Sequence, residues 1–268
     1  MIIKGYSDGP FGQIHWRMME PEQEPTQPDL YCLHPAPFSG LAYTTIMPFL
    51  ARNRRVIAPD FPGHGGSDGF TPEPSIGEYA KAMLAVAEDL SLEAPVDVTG
   101  FHTGNLVAVE MALLSPGTVR RMALVDVPAF VPDTRAKFLP TAGKPFDITP
   151  DLACLEGPWD MGMTKRLDSQ GPDRSFEMFV EQLRHGTGKN AAFHAAFSYD
   201  VEGRLPLVSS PALILASQSG LLDATRRATT LIPSAKLVER LDIKRAVLDE
   251  AAKATAEEIL LFLDGTGI

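Results

Sequence analysis

The chain has 268 residues, 44% of them hydrophobic, and a formal net charge of −10. That length and apolar content suit one large α/β domain with a full core, and the acidic balance excludes nucleic acid and anionic membranes as partners. No run of 18 apolar residues occurs, so no membrane span is expected.

Residues 1–6 lack a signal-peptide pattern. Cys32 and Cys154 are far apart in sequence, and neither lies on a turn that would expose it. Both read as reduced thiols of a cytoplasmic protein rather than as nucleophiles.

Residues 2–8 and 11–19 predict two strands around the turn Asp8-Gly9-Pro10. Residues 20–29, rich in Pro, Glu and Gln, read as an exposed loop. Leu30-Tyr31-Cys32-Leu33 is a short apolar strand that runs into His34-Pro35-Ala36-Pro37. Residues 40–52 predict a helix with Leu41, Thr45 and Pro48/Phe49 on its inner face. The strand Val56-Ile57-Ala58-Pro59-Asp60 follows, then Phe61-Pro62-Gly63-His64-Gly65-Gly66-Ser67-Asp68. Asp60 and Asp68 are expected to cap turns around Gly63 and Gly65. Ser75 starts a helix that reaches about Leu92, with Glu78 three residues on completing a capping box.

Val96-Asp97-Val98-Thr99 has the β-branched composition of a buried strand. Gly100-Phe101-His102-Thr103-Gly104 follows, and then Leu106, Val107, Val109, Met111 and Ala112 continue as a mostly apolar helix. A strand, a turn with glycine at both ends and a helix form a nucleophile elbow. The glycines permit a strained turn that pushes the central side chain, here His102, up at the helix N-terminus.

Residues 121–126 predict the next strand. Residues 130–205 break the alternation with amphipathic helical pieces at 151–169, 173–184 and 190–199. This predicts a helical cap (130–205) inserted into a core made of 1–129 and 206–268. The sheet resumes at 211–216, followed by a helix at 223–231, a last strand at 235–241 and a final helix at 248–263. Strands alternating with helices imply a mostly parallel sheet covered on both faces. Ligands bind beyond the carboxyl ends of such strands, where His34, Asp60, His102 and Asp126 fall.

Four features together resemble the α/β-hydrolase fold superfamily, in particular its epoxide hydrolase and haloalkane dehalogenase type members. They are His34-Pro35-Ala36-Pro37, similar to a His-Gly-x-Pro oxyanion loop; the Asp60 to Asp68 loop, similar to Asp-x-Pro-Gly-x-Gly-x-Ser-Asp; the elbow; and the cap between the sixth and seventh strands. The resemblance implies an α/β-hydrolase fold, a mostly parallel eight-stranded sheet flanked by helices with an inserted helical cap. The family's triad does not carry over. His102 stands at the nucleophile position, Ser219 where the acid is expected, and Lys244 or Arg245 where the histidine is expected. No histidine follows His194. Standard serine-hydrolase chemistry is excluded.

Serine needs a base because its hydroxyl is barely ionised at neutral pH. An imidazole with a pKa near ~6.5 is already largely neutral and nucleophilic, and a helix N-terminus depresses that pKa further. His102 is therefore read as nucleophile or general base, against the alternative of a non-catalytic pocket residue. Asp126 is the candidate that orients it, with a structural aspartate as the blander reading. The resemblance implies an oxyanion hole from the Thr103 and Ala36 N–H groups, since Pro35 and Pro37 have none. His34, Pro35, Phe101, His194, Ser219 and Arg245 are expected around the pocket, with His34 holding the loop. Whether Lys244 and Arg245 face the pocket, as a site for a carboxylate, or lie on the surface stays open.

No cofactor and no metal are expected, because the histidines lack ligand spacing. The leading expectation is an enzyme that hydrolyses, or cleaves the C–C bond of, a small, fairly apolar carbonyl substrate. The alternative is a catalytically inactive ligand-binding or sensor protein. A small molecule is the expected partner in either case, and a homodimer is left open.

Overall fold

The structure, a computed structural model, describes residues 1–69, 73–91 and 95–265. The elements in chain order are β1 (Ile2–Gly9), β2 (Gly12–Met19), β3 (Leu30–Leu33), α1 (Met47–Leu50), β4 (Val56–Pro59), α2 (Ile76–Leu90), β5 (Val96–Phe101), α3 (Thr103–Leu114) and β6 (Val119–Val125). Then come α4 (Pro132–Phe138), α5 (Ala153–Trp159), α6 (Leu167–Leu183), α7 (Ala191–Ser198), α8 (Val201–Arg204), β7 (Ala212–Ser217), α9 (Leu222–Leu231), β8 (Ala235–Arg240) and α10 (Ala252–Leu263). Among the described residues eight strands form one sheet in the order β1-β2-β4-β3-β5-β6-β7-β8. The β1–β2 hairpin joins β4 antiparallel, and the remaining pairs are parallel.

Side chains alternate across a strand, and the central strands of this sheet are buried on both faces. Tyr31, Leu33, Val98, Met122, Leu124 and Ile214 pack on one side with α2 and α3. Leu30, Cys32, Ala123, Val125, Leu213 and Leu215 pack on the other with α1 and α10. This double burial is why β3, β4 and β7 read as unbroken apolar runs.

The helix expected over 40–52 is broken. A 3₁₀ turn covers Gly40–Tyr43 and α1 covers only Met47–Leu50. Ala42, Tyr43, Ile46, Met47 and Leu50 are buried, whereas Leu41, Thr45 and Phe49 are only partly so and Pro48 is exposed. Ser39 and Asp60 cap the start of the turn, accepting the Leu41 N–H at 3.1 Å and the Gly40 N–H at 2.8 Å. The i→i+3 bonds that follow, Thr44 N–H to the Leu41 carbonyl and Ile46 N–H to the Tyr43 carbonyl, take the place of α-helical pairing. Pro48 then sits in the first turn of α1, where a missing N–H costs nothing. The capping box at Ser75 and Glu78 is formed, and Leu92 lies outside the described residues.

The final helix starts at Ala252, later than expected, because the Ala246 carbonyl (φ 47°) takes the N–H groups of Asp249 and Ala251 in turns. In α6 the chain runs on through the break expected at 170–172, kinked at Gly171 (φ 73°) before Pro172.

Asp60 does more than cap a turn. It is fully buried and accepts from Gly66 N–H at 2.9 Å, Gly40 N–H at 2.8 Å, His15 Nδ1–H at 2.8 Å and Arg17 Nη1–H at 2.7 Å. Burial alone would raise its pKa; the His15 bond and the Arg17 guanidinium outweigh it and hold the carboxyl below the usual range. A Cβ on Gly65 (φ 55°) would lie 1.9 Å from the Asp60 carboxylate, so the loop closes only with glycine there. Asp68 ties the same loop to the hairpin, accepting the Gln13 N–H at 2.7 Å. Asp60→Ala would leave Arg17 buried without its counter-charge and is expected to cost about 3–5 kcal/mol. Urea unfolding checks this, and a loss below about 1 kcal/mol would contradict it.

The helices between β6 and β7 are joined to the rest at several places, among them Arg174 Nε–H to Asp249 at 2.9 Å. Tyr199 Oη–H and Arg204 donate to Glu110 of α3 at 2.8 and 2.6 Å. On the other side, Ser39 donates to Glu181, and the Gly65 N–H donates to His185 Nε2 at 3.0 Å. His185 stacks near His64 (centroids 4.7 Å apart), and His64 lies 5.3 Å from His34. Burial pushes the pKa of His64 down to about 4 and that of His185 to about 3, and takes His34 well below its usual value.

Candidate active site

His102 sits between β5 and α3 with φ 50° and ψ −117°, a conformation that costs a non-glycine residue strain. The flanking glycines are sterically required. A Cβ on Gly100 would lie 2.6 Å from the Asn105 nitrogen, and one on Gly104 2.0 Å from the Leu33 carbonyl oxygen. The turn is pinned to β6: Asn105 Nδ2–H donates to the Val125 carbonyl at 2.7 Å and its Oδ1 accepts the Val125 N–H at 3.1 Å. The His102 N–H also reaches the Val125 carbonyl, at 3.3 Å.

Although the His102 ring retains some exposure to the cleft, protein surrounds it. That burial brings its pKa down to about 4; the Asp126 carboxylate opposes the shift and the Arg166 guanidinium adds to it. The imidazole is therefore neutral at physiological pH. Asp126 is fully buried just past the end of β6, itself at φ 49°. Ser217 holds its carboxylate with its N–H at 2.9 Å and its Oγ–H at 2.6 Å.

A cavity of about 770 Å³ opens over His102 and Asp126. A second, of about 160 Å³, lies beside it and is walled by Phe130, Phe193 and Phe197. Phe130 and Phe197 stack at 5.6 Å. Ala36, His102 and Phe193 line both spaces, so the imidazole stands at their junction.

Of the sequence candidates, Pro35, Phe101, Ser219 and Arg245 line the larger cavity, as does Lys244. Thr103 lines the smaller one and, as the first residue of α3, presents an N–H with no partner inside the helix. Two candidates lie elsewhere. His34 is fully buried behind the loop, where its Nε2 accepts the Phe61 N–H at 2.9 Å and its Nδ1–H donates to the Pro35 carbonyl at 3.1 Å. His194 backs onto Gly143, whose added Cβ would lie 2.4 Å from the His194 Cβ, while its neighbour Phe193 takes the cavity side.

Ser219 Oγ accepts the Leu221 N–H at 3.2 Å, and Arg245 is exposed with Nε 3.6 Å from Glu250. Among the described residues no group of three or more His, Cys, Asp or Glu side chains could hold a metal ion.

Sequence reasoning missed several lining residues. Lys165, Arg166 and Lys189 line the larger cavity from the helical insert, where only tertiary packing decides which residues reach the wall. Phe193 and Phe197 were detectable as an i, i+4 pair on one helix face. Ser217 is an ordinary strand residue whose partner is set by strand pairing alone.

A match to the alpha/beta hydrolase family spans residues 30–259. The chain is 28% identical over 164 residues to 2-hydroxy-6-oxo-2,4-heptadienoate hydrolase of Pseudomonas putida, covering 58% of this chain and 52% of that protein. It is 29% identical over 161 residues to 2-hydroxymuconate semialdehyde hydrolase of a Pseudomonas species, covering 57% and 50%. The chain thus spans about half the length of the curated relatives it matches. Among solved structures, the enol-lactonase from Burkholderia xenovorans superposes with a TM-score of 0.77 at 19% identity, covering 97% of this chain and 100% of that one. A hydrolase from Pseudomonas aeruginosa gives 0.79 at 18% identity, covering 97% and 98%. No helix among the described residues is long and apolar enough to cross a membrane.

Proposed function

Because the chain belongs to the alpha/beta hydrolase family, we propose that it is an enzyme cleaving a small, fairly apolar carbonyl compound, by hydrolysis or C–C cleavage, with His102 as the reacting side chain and no Ser-His-Asp triad. The observation that carries this reading is a neutral imidazole held at a strained strand–helix turn, where a large and a small cavity meet. The named substrates of the two curated relatives are likewise small carbonyl compounds.

In this reading the apolar end of the substrate fills the phenylalanine-walled space. Its remainder lies in the larger cavity, which the helical insert covers as a cap. The imidazole lone pair adds to the carbonyl carbon, and the N–H groups of Thr103 and Ala36 receive the oxyanion. Collapse of that adduct re-forms the C=O and breaks the bond to the leaving group. The leaving group takes the proton that the ring N–H gives up and departs as an alcohol from an ester or as a C–H product from C–C cleavage. Water then hydrolyses the acyl-imidazole to the acid and frees His102. Asp126 stabilises positive charge on the ring as it develops, and Ser217 holds that carboxylate in place. Arg166, Lys244 and Arg245 give the larger cavity a cationic side suited to an acidic group.

The test compares wild type with His102→Ala on p-nitrophenyl acetate and butyrate across pH. His102→Ala is expected to lose at least about 10²-fold in kcat/KM. In wild type, kcat/KM is expected to stay flat from about pH 6 to 8, because a group with a pKa of about 4 is already deprotonated there. A rising limb with an apparent pKa near 7 would assign the chemistry to another base. A burst of nitrophenol supports the acyl intermediate, and turnover without one makes His102 a base acting on water. Equal rates for the two proteins, with bound compounds recovered unchanged, would make the cavity a binding site only.

A further inference from the structure

The larger cavity holds an amine that the mechanism above leaves unused. Lys189 follows the turn Gly186–Gly188 and precedes α7. It is only 8% exposed, the one buried lysine among the described residues, and it lines the same cavity as His102. No carboxylate lies within ion-pair distance of it among the described residues. Its Nζ is 3.4 Å from Asn190 Oδ1 and 4.7 Å from the centroid of Phe146. Two other lysines on this cavity differ. Lys165 is exposed and paired with Asp160 at 2.7 Å, and Lys244 is exposed.

A buried ammonium without a counter-ion is disfavoured, and the free amine gains; burial lowers the Lys189 pKa accordingly. A desolvated amine on a residue of a cavity wall is the setting in which lysine adds to carbonyl groups.

We propose that Lys189 is a carbonyl-reactive amine that captures a small aldehyde or 2-oxo acid in the cavity as an imine. The nitrogen lone pair adds to the carbonyl carbon, and the C=O electron pair moves to oxygen, which takes a proton. The nitrogen gives up its protons, the hydroxyl leaves as water, and a C=N bond remains. The balance is amine plus carbonyl giving imine plus water, with no oxidant or reductant. The cationic lining by Arg166 and Arg245 selects for the 2-oxo acid. The proposal rests on the reading that the cavity admits small carbonyl compounds, but not on any role for His102.

The experiment incubates the full chain with pyruvate and sodium cyanoborohydride near pH 7.5, which reduces an imine to a stable carboxyethyl-lysine, and maps the modified peptides by mass. Lys189 is expected to label at least about tenfold faster than Lys165 and Lys244, because burial favours its free amine and the cavity wall holds the carbonyl beside it. Lys189→Arg is expected to remove that peptide's label while the slow background at the other two stays. Labelling of Lys189 no faster than the two exposed lysines would overturn the proposal. His102→Ala is expected to label like wild type. If that variant also hydrolyses esters like wild type, the proposed function falls while the labelled lysine stands.

Discussion

Replacing His102 by serine is expected to leave ester hydrolysis at or near background, a loss of about 10³-fold or more in kcat/KM. A serine there would sit at the same turn and, in the proposed reading, use the same Thr103 and Ala36 N–H groups, yet among the described residues no base stands where the family has its histidine. Where the family places its histidine, this chain has Lys244 and Arg245, both exposed. Arginine stays protonated at any working pH, and an exposed lysine does so at neutrality. Ser219 brings no charge to orient a base. Missing general-base help costs about 10²–10⁴ in rate, and more when a relay fails as a unit. The triple variant His102→Ser, Arg245→His, Ser219→Asp is expected to regain measurable hydrolysis, provided that the Ala36 N–H keeps its place beside Pro35. Robust activity in the single variant would reveal an unrecognised base. His34 is a poor suspect, because its two ring nitrogens are already bonded to the Phe61 N–H and the Pro35 carbonyl; His194, on the far side of Phe193, is no better placed.

Lowering the pH from 7 toward 5 is expected to destabilise the protein steeply, well before its carboxylates titrate. His34, His64 and His185 form a chain of rings that links the loops after β3 and β4 to the insert, and all three have pKa values below the ordinary one near ~6.5. Unfolding restores the ordinary value, so between about pH 6.5 and 4 the unfolded chain binds more protons than the native one. Stability is therefore fully present above about pH 6.5 and is lost as pH falls. Each such histidine contributes a slope of up to about 1.4 kcal/mol per pH unit. His102, with its pKa at about 4, adds a like slope, and with a discount for the partial exposure of His185 the four together give about 4 kcal/mol per unit.

Urea unfolding at pH 7, 6 and 5 measures that slope, and a change below about 1 kcal/mol over this range would contradict it. His64→Phe tests the assignment. Among the described residues the Nε2 of His64 has no hydrogen-bond partner, so a ring without nitrogen forfeits only the bond to the Pro62 carbonyl. The slope is then expected to fall by about one quarter.

Backbone-level features were legible in the sequence because they depend on local constraints. The β5–α3 turn could be read from Gly100 and Gly104, the capping box from Ser75 and Glu78, and the strands from runs buried on both faces. The helix at 40–52 was misread because its first half closes i→i+3 turns, and residue spacing does not distinguish that pairing from the α-helical one. The cavity was half legible. Residues at strand ends, His102 and Asp126, follow from the topology. Those contributed by the insert, Arg166 and Lys189 above all, depend on how helices with weak periodicity settle over the sheet. His64 and His185, which are 121 positions apart in the chain (185 − 64), gave no sign of meeting.

At the turn, steric necessity and chemical identity reside on different residues. Gly100 and Gly104 admit no other side chain, because the backbone of α3 presses against its own turn and against β3. Position 102 carries the strain in its backbone, and its side chain borders the two cavities. A lineage can therefore exchange the reacting group without touching the scaffold that presents it. Drift at this one position trades one chemistry for another, whereas drift two residues to either side removes the fold. The glycines are thus a sound guide to ancestry and a poor guide to the reaction.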